Sequence, residues 1–124
     1  MTFIRPIPPA ARSVLHVGCG MADPRKLPGE FFLPAEWREI RLDIDPDVAP
    51  DILASITDMA PVVAGSMDAV WSSHNLEHLH AHEIPSALGE FRRVLRPGGF
   101  ALVTVPDLQR VAALVAEDRL VEPA

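Results

Sequence analysis

A parallel α/β sheet is the fold class this sequence predicts, and three observations carry that expectation. Short apolar runs alternate with crossover segments along the 124 residues. The first run, Val14-Leu15-His16-Val17, stops abruptly at Gly18-Cys19-Gly20, as a buried parallel strand does when it meets a tight turn. Polar and glycine-rich turns then gather where the apolar runs end, on the side where open α/β sheets bind their ligands.

The elements follow in order. Residues 1–12, with Pro6, Pro8 and Pro9, read as an extended leader. A first strand covers residues 13–17. Gly18 and Gly20 lack a Cβ, so the turn between them can take positive φ and let a ligand lie against the backbone. A Gly-X-Gly after a strand also serves as a plain turn. Pro24, Pro28 and Pro34 leave no room for a full crossover helix, and only a short turn at residues 34–37 fits. Residues 39–45 form a second strand ending in acids. Residues 51–56 form a short third, and with Pro46 and Pro50 between them a helical crossover must be a single turn or missing. A polar turn at residues 65–68 leads into strand four, residues 69–73.

The second half is more regular. Ile84, Leu88, Phe91 and Leu95 recur at spacings of four, three and four, one face of an amphipathic helix over residues 82–95. Pro85 fits only in its first turn, and Pro97-Gly98-Gly99 stops it. Strand five, residues 100–105, is apolar on both faces and expected to be buried on both. A last helix is expected over residues 108–118 with Asp107 as its N-cap.

Composition narrows the function. The length suits one domain with one core, expected to span residues 1–124. A net charge of −6 gives no electrostatic footprint for nucleic acid or an anionic membrane. No apolar run approaches the roughly 20 residues that cross a bilayer, and the first residues contain no signal-peptide core. The single cysteine, Cys19, rules out an internal disulfide and suits a cytoplasmic location. Thirteen prolines are about twice the usual share, and most precede residue 62, so the first half is expected to be loop-rich.

At the carboxyl ends of the strands the sequence collects Gly18, Gly20, Asp43, Asp45, Asp58, Ser73, His74 and Asn75. Five blocks carry a family likeness: residues 14–20, Leu42-Asp43-Ile44-Asp45, Thr57-Asp58-Met59, Ser73-His74-Asn75-Leu76-Glu77-His78 and Arg93-Val94-Leu95-Arg96-Pro97-Gly98-Gly99. In order and rough spacing they resemble the motifs of class I S-adenosylmethionine-dependent methyltransferases, most closely the type 11 group. The likeness spans most of residues 13–107.

The resemblance implies a Rossmann-like three-layer α/β sandwich with strand order 3-2-1-4-5, S-adenosylmethionine as cofactor, and methyl transfer to a nucleophilic atom of an acceptor. It implies that Gly18 and Gly20, with Cys19 between them, pack against the methionine part of the cofactor. Asp43 would accept hydrogen bonds from both ribose hydroxyls, as a carboxylate with two acceptor oxygens can; Asp45 is the alternative. Ile44 and Ser73 fall in the same cofactor-binding stretches. Asp58 would take the adenine amino group with the Met59 backbone beside the ring, although an Asx turn explains Asp58 equally simply. His74 or Asn75 would border the transferred methyl, and His74 could take a proton from the acceptor.

Departures from the family pattern are equally visible. His16 stands where relatives usually carry an acid, and it would contact the same cofactor groups while pairing the ammonium less well. Ala22 replaces a third glycine, and the crossover after strand two is nearly absent. The chain stops one helix after strand five and so looks like a truncated form. That truncation would leave strand five as an apolar edge, expected to be covered by the same strand of a second copy or by a longer chain of which this is a fragment, or else to make the isolated chain poorly soluble.

A binding module without catalysis is the alternative reading. A minor one is a zinc hydrolase through His74-x-x-Glu77-His78, a spacing that needs both histidines on one helical face and a third ligand elsewhere. His74 directly follows a strand, so no metal is expected. His78, His80 and His82 read as solvated loop and helix-start residues, and Glu77 as a cap or salt bridge at the helix start.

Overall fold

The computed structural model describes residues 11–105. Its sheet has five strands, β1 Arg12–Val17, β2 Trp37–Asp43, β3 Ile52–Leu53, β4 Met67–Ser73 and β5 Leu95–Thr104. They lie in the order β3-β2-β1-β4-β5, and every pairing is parallel. This is a Rossmann-like α/β fold with the expected strand order.

Alternation along β1 divides the interior. Leu15 and Val17 point to one face and join Leu42, Met59, Val62, Val70 and Leu76 beneath the helix α1, Ile84–Val94. That helix buries Ile84, Ala87, Phe91 and Val94, and Pro85 sits in its first turn, where a missing N–H is harmless. Val14 faces the other way, into Phe32, Trp37, Ala69 and Trp71. Among the described residues this second face is covered by the irregular, proline-rich segment before β2. Its seal is aromatic: the Phe32 ring stacks on Phe100 at 5.9 Å and meets Trp37 edge-on at 4.9 Å.

Several elements differ from the sequence expectations. Trp37 belongs to β2, although residues 34–36 do form the expected turn. The strand ends at Asp43; Asp45 lies beyond it, capping a 3-10 turn over Pro46–Val48 by accepting the Asp47 N–H at 2.9 Å. Only two residues of the third strand pair with β2. On either side of them the backbone is diverted, because the Asp51 carboxylate takes the Arg41 N–H at 2.8 Å and residues 55–58 fold into an isolated bridge.

Helix α1 stops at Val94, and Leu95 already pairs with Met67. The Pro97-Gly98-Gly99 stretch is therefore an irregularity inside β5, with Gly98 at φ 85°, opposite the register shift between Met67 and Ala69. Strand β5 is not buried on both faces. It pairs only with β4 among the described residues, and Phe100 is 40% exposed. An edge position leaves apolar residues wet that a central position would cover. Most of the expected leader and all of the expected last helix lie outside the described residues. No described helix is long and apolar enough to cross a membrane.

Candidate functional site

The carboxyl ends of β1, β2 and β4 meet around the turn after β1. Gly18 and Gly20 have φ of 58° and 62°, the left-handed region that only glycine enters without cost. The Cys19 N–H extends the sheet by donating to the Leu42 carbonyl at 3.1 Å. Cys19 itself is buried, and burial pushes its thiol pKa up. It is a small packing residue rather than a thiolate nucleophile.

Asp43 ties this turn to β2. Its Oδ2 accepts the Gly20 N–H at 2.8 Å and its Oδ1 accepts the Asp45 N–H at 2.9 Å. Each carboxylate oxygen can accept two hydrogen bonds, so each keeps one acceptor position. Asp45 instead faces its own turn, and Ile44 between them is exposed.

Two cations hold the carbonyls of the same turn. Lys26 Nζ donates to the Cys19 and Met21 carbonyls at 3.1 and 2.7 Å. The Arg41 guanidinium donates to the Gly20 carbonyl and reaches the Val48 and Ala49 carbonyls at 2.8 and 2.9 Å. Neither residue stood out in the sequence.

From β4 the chain turns sharply. Ser73 Oγ accepts from Thr104 Oγ1 at 3.4 Å, and His74 adopts φ 57°, unusual for a residue with a Cβ. Asn75 lies over Gly18, its Nδ2 donating to the Val17 carbonyl and to Ser72 Oγ, both at 3.0 Å. Its amide thus shapes the turn, while the half-exposed imidazole of His74 borders it.

Glu77 belongs to the 3-10 turn Leu76–His78 and does not cap α1; the Glu83 carboxylate instead accepts the His80 N–H. His74 Nδ1 and His78 Nε2 lie 3.6 and 3.9 Å from one Glu77 oxygen, with no helix to give them a common face. No group of three described metal-ligating residues is arranged to hold an ion.

His16 lies on the face of the sheet away from α1, buried beside Trp71. Its Nδ1 donates to Glu39 Oε2 at 2.6 Å, because a carboxylate can only accept. Burial lowers the His16 pKa below the ordinary 6.5, outweighing the opposing pull of Glu39. A base whose pKa falls on folding binds protons more readily when unfolded. The associated stability is complete above pH 6.5 and lost as pH falls toward the native value. Urea melts at pH 7.5 and 5.5 are expected to show this loss, and His16→Gln to flatten it; equal slopes for both proteins would disprove it.

Asp58 is exposed and forms an Asx turn, its Oδ1 accepting the Ala60 N–H at 3.2 Å. Met59 is fully buried, and its backbone N–H and carbonyl are both taken by α1, through Glu90 and Arg93. The structure thus brings Gly18, Cys19, Gly20, Asp43, Ser73, His74 and Asn75 to the carboxyl ends of β1, β2 and β4, and holds Asp58 and Met59 in a hydrogen-bonded loop after β3.

A model of the methyltransferase domain matches residues 15–103 of the chain. Among solved structures, a Pyrococcus horikoshii OT3 protein superposes with a TM-score of 0.65 at 19% identity, covering 90% of this chain and 53% of that one. An S-adenosylmethionine-dependent methyltransferase from Archaeoglobus fulgidus superposes with a TM-score of 0.61 at 18% identity, covering 89% and 53%. At these identities the likeness is one of fold. The chain spans about half the length of either protein. No curated protein matches the sequence.

Proposed function

The chain belongs to the methyltransferase domain family, and on that premise we propose that it binds S-adenosylmethionine at the Gly18–Gly20 turn and transfers a methyl group to a small-molecule acceptor. The observation that carries this reading is the bond from the Gly20 N–H to Asp43 Oδ2. It fixes beside a positive-φ glycine turn a carboxylate with one acceptor position left on each oxygen. Two adjacent ribose hydroxyls need that pair of acceptors.

The bound cofactor supplies an already activated methyl on its sulfonium. The protein's task is therefore placement of the acceptor and exclusion of water. Gly18, Cys19 and Gly20 present backbone to the methionine part, with Lys26 and Arg41 holding the carbonyls that would otherwise let the turn move. Ile44, next to Asp43, and Ser73, at the end of β4, belong to the same proposed cofactor-binding stretches. His74, at the tip of β4, faces the acceptor and can take its proton, and Asn75 positions the turn. Asp58 remains the candidate for the adenine edge through its second oxygen. The Met59 backbone already has its partners in α1 and would serve only as a neighbour of the ring. A cytoplasmic setting belongs to the same reading, supported by one buried cysteine in the whole chain.

Calorimetry with S-adenosylmethionine and S-adenosylhomocysteine tests the proposal. Both are expected to bind, and Asp43→Ala to weaken binding about 10- to 150-fold, the loss of a charged acceptor worth about 1.5–3 kcal/mol. Asp45→Ala should bind like the parent. The reverse pattern would move the ribose site to Asp45, and no binding by the parent would remove the cofactor reading.

A further inference from the structure

We propose that Glu77, in the turn that follows β4, forms an anionic subsite built to receive a protonated amine or another strong N–H or O–H donor from a ligand. Its side chain is only 21% exposed, and Oε1 is fully buried without a hydrogen-bond partner, the one described side-chain atom in that condition. Oε2 has only the two imidazole nitrogens nearby, at 3.6 and 3.9 Å, too far for hydrogen bonds. Buried polar atoms almost always find a donor, and leaving a carboxylate oxygen without one is costly. Here the fold keeps such an oxygen two residues from Asn75, which itself lies on Gly18.

The local chain explains how the oxygen comes to lack a donor. His74 in the left-handed region turns the backbone off β4, and the 3-10 turn Leu76–His78 anchors Leu76 in the core. Glu77 is thereby carried inward between His74 and His78. Glu77 Oε1 is thus an acceptor without a donor.

The donor has two possible sources, and the methyltransferase reading supplies both: the ammonium of the cofactor's methionine part, or an amine or hydroxyl on the acceptor. Glu77→Gln keeps the shape and removes the charge. In calorimetry with S-adenosylhomocysteine and with 5′-methylthioadenosine, which lacks the ammonium, the first source predicts at least a tenfold loss for the former and none for the latter. The second source predicts no change for either. Instead, ethanolamine added to the protein saturated with S-adenosylhomocysteine shifts the amide resonances of residues 74–78, acetate does not, and Glu77→Gln abolishes the shift.

Either pattern supports the subsite. If Glu77→Gln behaves like the parent in both arms, or weakens both nucleosides equally, the proposal is overturned. Thermal melting of the unliganded variant gives an independent check. A carboxylate without a donor predicts an unchanged or higher Tm, whereas a clear drop would mean that the histidines already satisfy it and would also overturn the proposal. Should the parent bind neither nucleoside, the cofactor reading fails by itself, and ethanolamine added to the unliganded protein decides on Glu77.

Discussion

Gly18→Ala is expected to lower stability by about 3–5 kcal/mol, a large part of the 5–15 kcal/mol that typically holds a domain folded. Two independent costs add. At φ 58° an alanine sits in the left-handed region, at about 1–2 kcal/mol. Its Cβ would also fall 2.1 Å from Asn75 Oδ1, far inside contact distance. Asn75 cannot step aside freely, because moving it breaks its bonds to the Val17 carbonyl and Ser72 Oγ, each worth about 0.5–1.5 kcal/mol.

Gly20→Ala is the control. Its φ of 62° carries the same backbone cost, but the nearest obstacle is Lys26 Nζ at 3.1 Å, the free end of a flexible side chain. A loss of only about 1–2 kcal/mol is expected there. Urea midpoints of the two variants check the contrast, and equal losses would show that Asn75 does not pack on Gly18 as described. Adding Asn75→Ala to Gly18→Ala should recover part of the deficit, a non-additivity that separate sites do not show.

Arg93→Ala is expected to cost about 2–4 kcal/mol, through the loss of charged hydrogen bonds that have no substitute. Arg93 donates from Nε to Glu90 Oε1 at 2.8 Å, from Nη1 to the Val62 carbonyl at 2.9 Å, and from Nη2 to the Met59 carbonyl at 2.8 Å. Glu90 in turn accepts the Met59 N–H. One ion pair on α1 therefore clamps the whole Met59–Val62 loop over the core. Removing Arg93 leaves Glu90 and two carbonyls short of donors.

The same pair sets an acid limit. The Arg93 bonds, helped by the Met59 N–H, hold the Glu90 pKa below the ordinary 4.5. A carboxylate lowered on folding contributes stability that is complete above the unfolded value and is lost as pH falls toward the native one. Stability measured by urea melts should therefore drop below about pH 4.5, and Glu90→Gln should lessen that drop. A variant with the parent's acid profile, or Arg93→Ala with the parent's midpoint, would show that the clamp contributes nothing.

The sequence by itself determined the parts of this protein that depend on neighbouring residues. Apolar runs ending in turns marked β1, β2 and β4, the spacing of apolar residues marked α1, and Gly18-Cys19-Gly20 marked the turn on which the candidate site is built. Pro46 and Pro50 correctly left only a single 3-10 turn between β2 and β3. Each of these follows from side-chain periodicity or from backbone limits that act within a few residues.

The tertiary structure alone decided which groups meet. Asn75 reaches Val17 across 58 positions, and Glu90 reaches the Met59 N–H across 31. The exposure of β5 follows from its place at the end of the strand order, which its own apolar residues do not encode. Asp43 and Asp45 look alike in sequence; only the folded backbone turns one toward Gly20 and the other into its own turn. The unpartnered oxygen of Glu77 belongs to the same class, since a missing partner is a property of everything packed around an atom. Local patterns report which face of an element is buried, whereas hydrogen-bond partners are chosen when distant elements dock.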